Sequence, residues 1–225
     1  MKRLFLIGLG LMLFMAPKAA EASYTLNFDP TNTFSGTAPA GSLTATFTDV
    51  TGGVQLTVTS SLATGENLDP GKALYFNFNP SKDSSLGDLS FALTGNTGFS
   101  QQSTVETGAD SFKADGDGYY DIEFTYTPST KAFTTGESQT YLIKDSGGSI
   151  TASDFTQYLS STGGGTGDWY AAVHVQNTPS GGSGSAWVGA ESAEVGVSPT
   201  PIPAAAWLFG SGLAGLIGIK RKYLG

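Results

Sequence analysis

The sequence predicts an all-β chain, folded as an antiparallel β-sandwich of jelly-roll type. Three observations predict it. Short runs between residues 23 and 197 alternate apolar and polar side chains with a period of two, the signature of half-buried strands. Clusters of Asn, Gly, Pro and Ser separate those runs, as at Asn79-Pro80, Gly147-Gly148 and Gly163-Gly164-Gly165. The 31 glycines among 225 residues count against long helices in this region, because glycine costs about 1 kcal/mol per helical position. Length allows one β-rich domain with a substantial core, or at most two small ones.

The chain opens with Met1-Lys2-Arg3, a basic start, and continues through an apolar run from Leu4 to Met15. Ala20-Glu21-Ala22 fits the small-x-small pattern of a cleavage site, so the expected cut falls after Ala22 and leaves Ser23 at the mature start. Residues 1–22 therefore read as a secretory signal peptide. About a dozen apolar residues fall short of the roughly 20 needed to span a bilayer, which disfavours a permanent anchor.

The body, 23–191, carries nine strand candidates in order: Tyr24–Phe28, Leu43–Phe47, Val54–Val58, Leu74–Phe78, Leu89–Leu93, Tyr120–Tyr126, Tyr141–Lys144, Tyr170–Gln176 and Ala186–Gly189. Asp49-Val50-Thr51-Gly52-Gly53 is a hairpin connection with glycine available for positive φ. Ser153 to Leu159 gives the one helical hint, with Thr151 or Ser153 as cap and Phe155, Tyr158 and Leu159 turned inward. A parallel β-helix is the alternative, but no fixed-period repeat supports it. Ser180 to Ser185 reads as a long loop before a last strand, and 192–199 as a linker.

The chain's charge narrows its partners. Six of its eleven basic residues sit in the terminal segments, and the body keeps five lysines against eighteen carboxylates, about −13. Such a surface repels phosphate backbones and excludes nucleic acid. With no cysteine there is no disulfide, thiol nucleophile or Cys-ligated metal.

Catalytic patterns are sparse. The single histidine, His174, sits in the strand-like Ala172-Val173-His174-Val175-Gln176 and reads as structural or superficial, with no Gly-x-Ser-x-Gly elbow in the chain. Gly65 to Lys72 misses the phosphate-loop spacing by one residue, and Ala73 stands where a hydroxyl is needed. Asp121 and Glu123, two apart on one strand, would hold carboxylates roughly 6–7 Å apart, near the inverting-glycosidase range. The plainer reading is two charges on a solvated face. The expectation is therefore no enzyme.

Two binding patterns remain. Asp115-Gly116-Asp117-Gly118-Tyr119-Tyr120-Asp121 matches D-x-D-G-x-x-D, a spacing that wraps oxygens around Ca²⁺. The same residues also read as an Asp-Gly turn that needs no metal, so Asp115, Asp117 and Asp121 are calcium candidates with that alternative open. No other cofactor is expected. Trp169, Tyr170 and Trp187 follow glycine-rich loops and would offer ring faces to sugars, although aromatics at period two more often fill a core.

The last segment, 200–225, is the most specific. Proline-spaced residues precede an apolar and small-residue run, Ala204 to Ile219, which as a helix would be roughly 24 Å long, at the short limit for a span. Lys220-Arg221-Lys222 follow as a basic stop that the positive-inside rule keeps cytoplasmic. This order of motif, transmembrane helix and basic tail resembles the PEP-CTERM family of sorting signals, in its V-P-L-P-A variant. The matching residues are Thr200, Pro201, Ile202, Pro203 and Ala204, with Thr200 in place of the leading Val. The resemblance covers about a tenth of the chain. It implies recognition by an exosortase, an integral-membrane transpeptidase-like protease of Gram-negative bacteria, and cutting near Pro201–Pro203. Tyr24 to Asp29 and Phe112 to Gly118 are similar to β-rich bodies that carry such tails. Export across the inner membrane, signal peptidase as first processing partner, transient membrane anchoring and delivery to the cell surface or an exopolysaccharide and biofilm matrix follow as expectations. The alternative is a carbohydrate-binding module with a defined glycan site.

Overall fold

Strand pairing in this chain is antiparallel along every ladder between named strands. A computed structural model of the chain describes residues 21–126, 133–163, 165–179, 184–191 and 194–197. The described strands are β1 (Ala22–Gly36), β2 (Ser42–Val50), β3 (Gly53–Ser61), β4 (Asn67–Leu68), β5 (Leu74–Phe76) and β6 (Leu89–Thr97), followed by β7 (Thr104–Ala114), β8 (Gly118–Thr125), β9 (Ser138–Asp145), β10 (Ala171–Thr178), β11 (Gly184–Ala190) and β12 (Glu194–Val197). They form one sheet in the order β6-β9-β3-β2-β1-β11-β10-β5-β8-β7, with β12 on β1 and β4 on β10. Two 3₁₀ segments interrupt them, Pro80–Asp88 and Ala152–Phe155.

The sheet curls until its far ends meet. Phe124 of β8 packs edge-on against Phe91 of β6 at 5.6 Å and Tyr141 of β9 at 5.4 Å, although β8 and these strands lie at opposite ends of the strand order. Phe47 of β2 meets Phe76 of β5 in the same way at 5.1 Å. Alternation decides what enters this core: Val54, Leu56 and Val58 of β3 are fully buried while Gln55 and Thr59 face out. The β2–β3 hairpin closes through Thr51-Gly52, with Gly52 at φ 86°, the left-handed region that glycine adopts without a Cβ clash.

The other face of β1, β2, β3 and β9 is hydroxyl-rich, with charge only toward its edges, at Asp29 and Lys144. Thr25, Thr46, Thr57 and Thr140 form one row across four strands. Hydroxyl pairs link Ser23 to Thr48 at 3.1 Å, Thr25 to Thr46 at 2.9 Å and Thr57 to Thr140 at 3.2 Å.

On the β11–β10–β5–β8 side both faces are buried. Leu74 and Phe76 enter the main core, but Tyr75 between them joins Ala114, Tyr120, Ala172 and Trp187 in a second cluster, flanked by Phe34 and Phe112. This second apolar layer, covered by the far half of β1 and the end of β7, positions the site.

Several expectations shift. The stretch 192–199, expected to be a linker, contains β12, whose Glu194–Val197 pair with Thr25–Ala22. The helical hint at Ser153–Leu159 is the shorter 3₁₀ turn Ala152–Phe155. Phe155 is buried in it, but Leu159 is 50% exposed, because the turn ends before the chain can bring that residue inward. The parallel β-helix is set aside by the antiparallel ladders. Ala20 of the expected cleavage site, the expected sorting motif Thr200–Ala204, the expected transmembrane helix and Lys220–Lys222 lie outside the described residues. Among the described residues no helix is long and apolar enough to cross a membrane.

Candidate functional site

Trp187 anchors the second cluster. It points away from the main core because β11 alternates, with Ala186 and Val188 turned the other way. His174, opposite Trp187 in the β10–β11 register, stacks on its ring at 4.6 Å and 17°. Tyr75 packs at 5.1 Å and Phe34 at 6.5 Å. Tyr75 donates its hydroxyl hydrogen to Glu123 Oε1 at 2.8 Å, across the β5–β8 pair. Burial pushes the Tyr75 phenol above its ordinary range, with the Glu123 bond adding to the effect. Burial likewise raises the Glu123 carboxyl.

A cavity of about 290 Å³ opens beside this layer, lined by Ser35, Lys72, Asp115, His174, Ser185 and Trp187 among others. His174 Nδ1 lies 2.9 Å from Asp69 Oδ2. Burial holds the imidazole below its ordinary value of 6.5, while Asp69 pulls it back upward. The ring is therefore mainly neutral near pH 7, with Asp69 favouring the Nδ1–H tautomer. Lys72 and Asp115 are exposed at the rim.

A larger cavity of about 370 Å³ lies beside the β2–β3 hairpin, between Asp49, Asp145 and Ile150. Its two aspartates are committed to local backbone: Asp49 accepts from Ala152 N and Asp145 from Gly147 N, both at 2.7 Å. The smaller cavity has the richer chemistry.

The three calcium candidates do not converge. Asp117 is fully buried and accepts from Tyr120 Oη and Ser160 Oγ at 2.5 Å each, Asp168 N at 2.9 Å and Thr166 Oγ1 at 3.2 Å. Asp121 is 7% exposed and accepts from Phe78 N and Asp110 N, both at 2.8 Å. Burial raises the Asp121 carboxyl despite those bonds. Asp115 is on the cavity rim. Asp115 to Asp117 form the turn joining β7 to β8, paired at Ala114 and Gly118, and that turn sends Asp117 inward as a clamp on Ser160, Thr166 and Asp168. Among the described residues no group of three or more His, Cys, Asp or Glu side chains is arranged to hold a metal. The D-x-D-G-x-x-D spacing is a turn here.

The aromatic candidates also need correction. Trp187 is 4% exposed and covered by its neighbours, so it offers no open ring face. Tyr170 packs against the main core, and its N–H donates to Ala190 O at 3.0 Å. Trp169 is half-buried, stacked on Phe34 at 6.1 Å. Its ring also lies against Gly189, where a Cβ would come within 2.1 Å of it. The Asp121–Glu123 pair is not a solvated set of charges: Asp121 is buried on backbone donors and Glu123 is bound by Tyr75.

Sequence reasoning missed the grouping of Asp69, Lys72 and Asp115 with His174. Outward placement of His174 on β10 was readable from alternation. No spacing announces that residues 69–72, 105 positions from the histidine at their start, return to it through the β4–β10 and β5–β10 pairs.

Neither a family model, nor a curated protein, nor a solved structure matches this chain.

Proposed function

We propose that this chain is an exported, non-enzymatic protein of the cell surface or extracellular matrix, sorted through its C-terminal signal. The observation that carries the reading is the β1–β12 pair, Ala22 with Val197 through Thr25 with Glu194. The body begins and ends on neighbouring strands, so a cut after Ala22 removes only the end pair of this ladder, Ala22 with Val197, and a cut near Pro201–Pro203 falls beyond it. Signal peptidase and an exosortase-type enzyme would each remove a terminal segment and leave the sheet from Ser23 onward in place. The body is then a two-layered sandwich of jelly-roll type, a reading supported by the ring contacts across the curled sheet.

Matrix contact suits this surface. The net charge of the body disfavours anionic polymers, whereas the threonine-rich face offers neutral donors and acceptors to polysaccharide hydroxyls. A second reading, a carbohydrate-binding module, is favoured by the His174 cavity. The sorting claim is tested by replacing Pro201 and Pro203 with alanine in one variant and Lys220–Lys222 with serine in another. Each should accumulate unprocessed precursor in the inner membrane; normal surface delivery of both would reject the sorting reading.

A further inference from the structure

We infer that the cavity lined by Lys72, Asp115, His174 and Trp187 binds a single neutral sugar unit. The inference rests on the polysaccharide-contact reading above and gives it a site.

Size is the first argument. At about 290 Å³ the cavity lies at the lower end of small-molecule pockets, which suits one ring rather than an extended chain segment. Chemistry is the second. Lys72 makes no salt bridge and Asp115 accepts no hydrogen bond within the described residues, so a cation and an anion stand at the rim with their capacity unused. His174 has Nδ1 engaged by Asp69, which leaves Nε2 as the ring nitrogen available to a ligand. A donor, an acceptor and an acceptor imidazole around one small space match a polyol, whose hydroxyls both donate and accept. Trp187, although mostly covered, contributes an apolar edge to the same wall.

Charge is the third argument. Asp115 in the wall and Asp69, paired to His174, outnumber Lys72, and His174 is mainly neutral, so an anionic ligand would meet a net negative site. The Asp69–His174 pair fixes a half-buried ring against Trp187, and preorganisation of this kind lowers the cost of binding.

The test uses the full-length chain in a detergent without a sugar headgroup, titrated with neutral methyl hexopyranosides and disaccharides, a uronic acid and free amino acids. His174 is the only histidine, so its ring proton resonances report directly on this cavity. A neutral sugar should shift them with a Kd of about 1 mM or tighter. Lys72→Ala and Asp115→Ala should each weaken binding about tenfold or more without changing the melting temperature, both residues being exposed. Absence of any neutral-sugar shift would overturn the proposal, as would binding that leaves His174 unmoved, binding unchanged in both variants, or tighter capture of the uronate or an amino acid. None of these results touches the sorting claim, which is judged on processing of the tail.

Discussion

Replacing Asp117 with alanine should destabilise the body by about 3–5 kcal/mol, because its carboxylate is a structural clamp. Four donors converge on it, and two of them, Tyr120 Oη and Ser160 Oγ, belong to buried residues. Each buried hydroxyl left without its acceptor costs about 1–3 kcal/mol. The bonds from Asp168 N and Thr166, two exposed residues, are readily taken over by water and add little. Relief from burying the carboxylate itself offsets part of the loss. Asp117→Asn keeps one acceptor oxygen but turns an NH₂ toward the remaining donors, so its loss should be intermediate. Urea unfolding at pH 7 gives the magnitudes. Hydrogen exchange supplies the local signature: the amides of Ser160, Ser161, Gly167 and Asp168 should lose protection in Asp117→Ala beyond the global change, since Gly167 N also bonds to Asp117 O at 3.1 Å. Millimolar calcium should neither raise the wild-type melting temperature nor rescue the variant. A loss below about 1 kcal/mol, or a calcium-dependent stabilisation removed by the substitution, would refute the clamp and return Asp117 to the role of metal ligand.

The remaining predictions concern His174, Lys82 and Gly189. The His174 imidazole should titrate below 6.5, and Asp69→Asn should lower it further, since Asp69 is what opposes the effect of burial; a rise on substitution would contradict the pairing. With the folded value depressed, the unfolded chain takes up the proton first. Stability should therefore fall as pH drops from about 6.5 to the folded value, and then level. Asp154 has the opposite cause: burial alone would raise its carboxyl, but Lys82 Nζ at 2.7 Å, Asn79 and Thr151 together hold it below the usual value. Lys82→Met should cost about 1 kcal/mol at pH 7, reduced from the buried-pair range because the lysine is one-third exposed. That cost should vanish as pH falls through the carboxylate range and Asp154 protonates, so a cost independent of pH would exclude the ion pair as its origin. Gly189→Ala should displace the Trp169 ring and cost about 1–3 kcal/mol, read as a change in tryptophan emission together with a lower melting temperature. An unchanged spectrum would show that the ring does not rest on Gly189.

What the sequence made legible follows from which forces act locally. Leu43–Phe47 and Val54–Val58 were readable because one face of each is buried and the other wet, and they appear as β2 and β3 with the expected hairpin. β7 escaped notice because Gly108 and Asp110 interrupt its pattern: a register shift lies between Thr107 and Phe112, with Asp110 at φ 47°, and the strand ends the sheet path with little to bury. β12 is four residues long and becomes a strand only because β1 lies beside it. At the site, His174 reads as structural or superficial and Trp187 as a ring beside a glycine-rich loop, and the β10–β11 register sets them opposite each other. Alternation could not reveal that a second apolar layer covers them, because that depends on Phe34 and the end of β7 folding over Trp187. The aspartates of 115–121 showed the limit of spacing: three oxygens within seven residues suggested one centre, and the turn distributes them to three environments.

In the processing proposed for this chain, a folded acidic body is released between two removed segments. The direct measurement is the intact mass of the protein recovered from the cell surface, with both termini mapped by peptide sequencing. The expected product starts at Ser23 and ends near Pro201–Pro203, lacking Trp207 onward. Recovery of the chain only from the membrane, with Lys220-Arg221-Lys222 still attached, would contradict it and make the tail a permanent anchor.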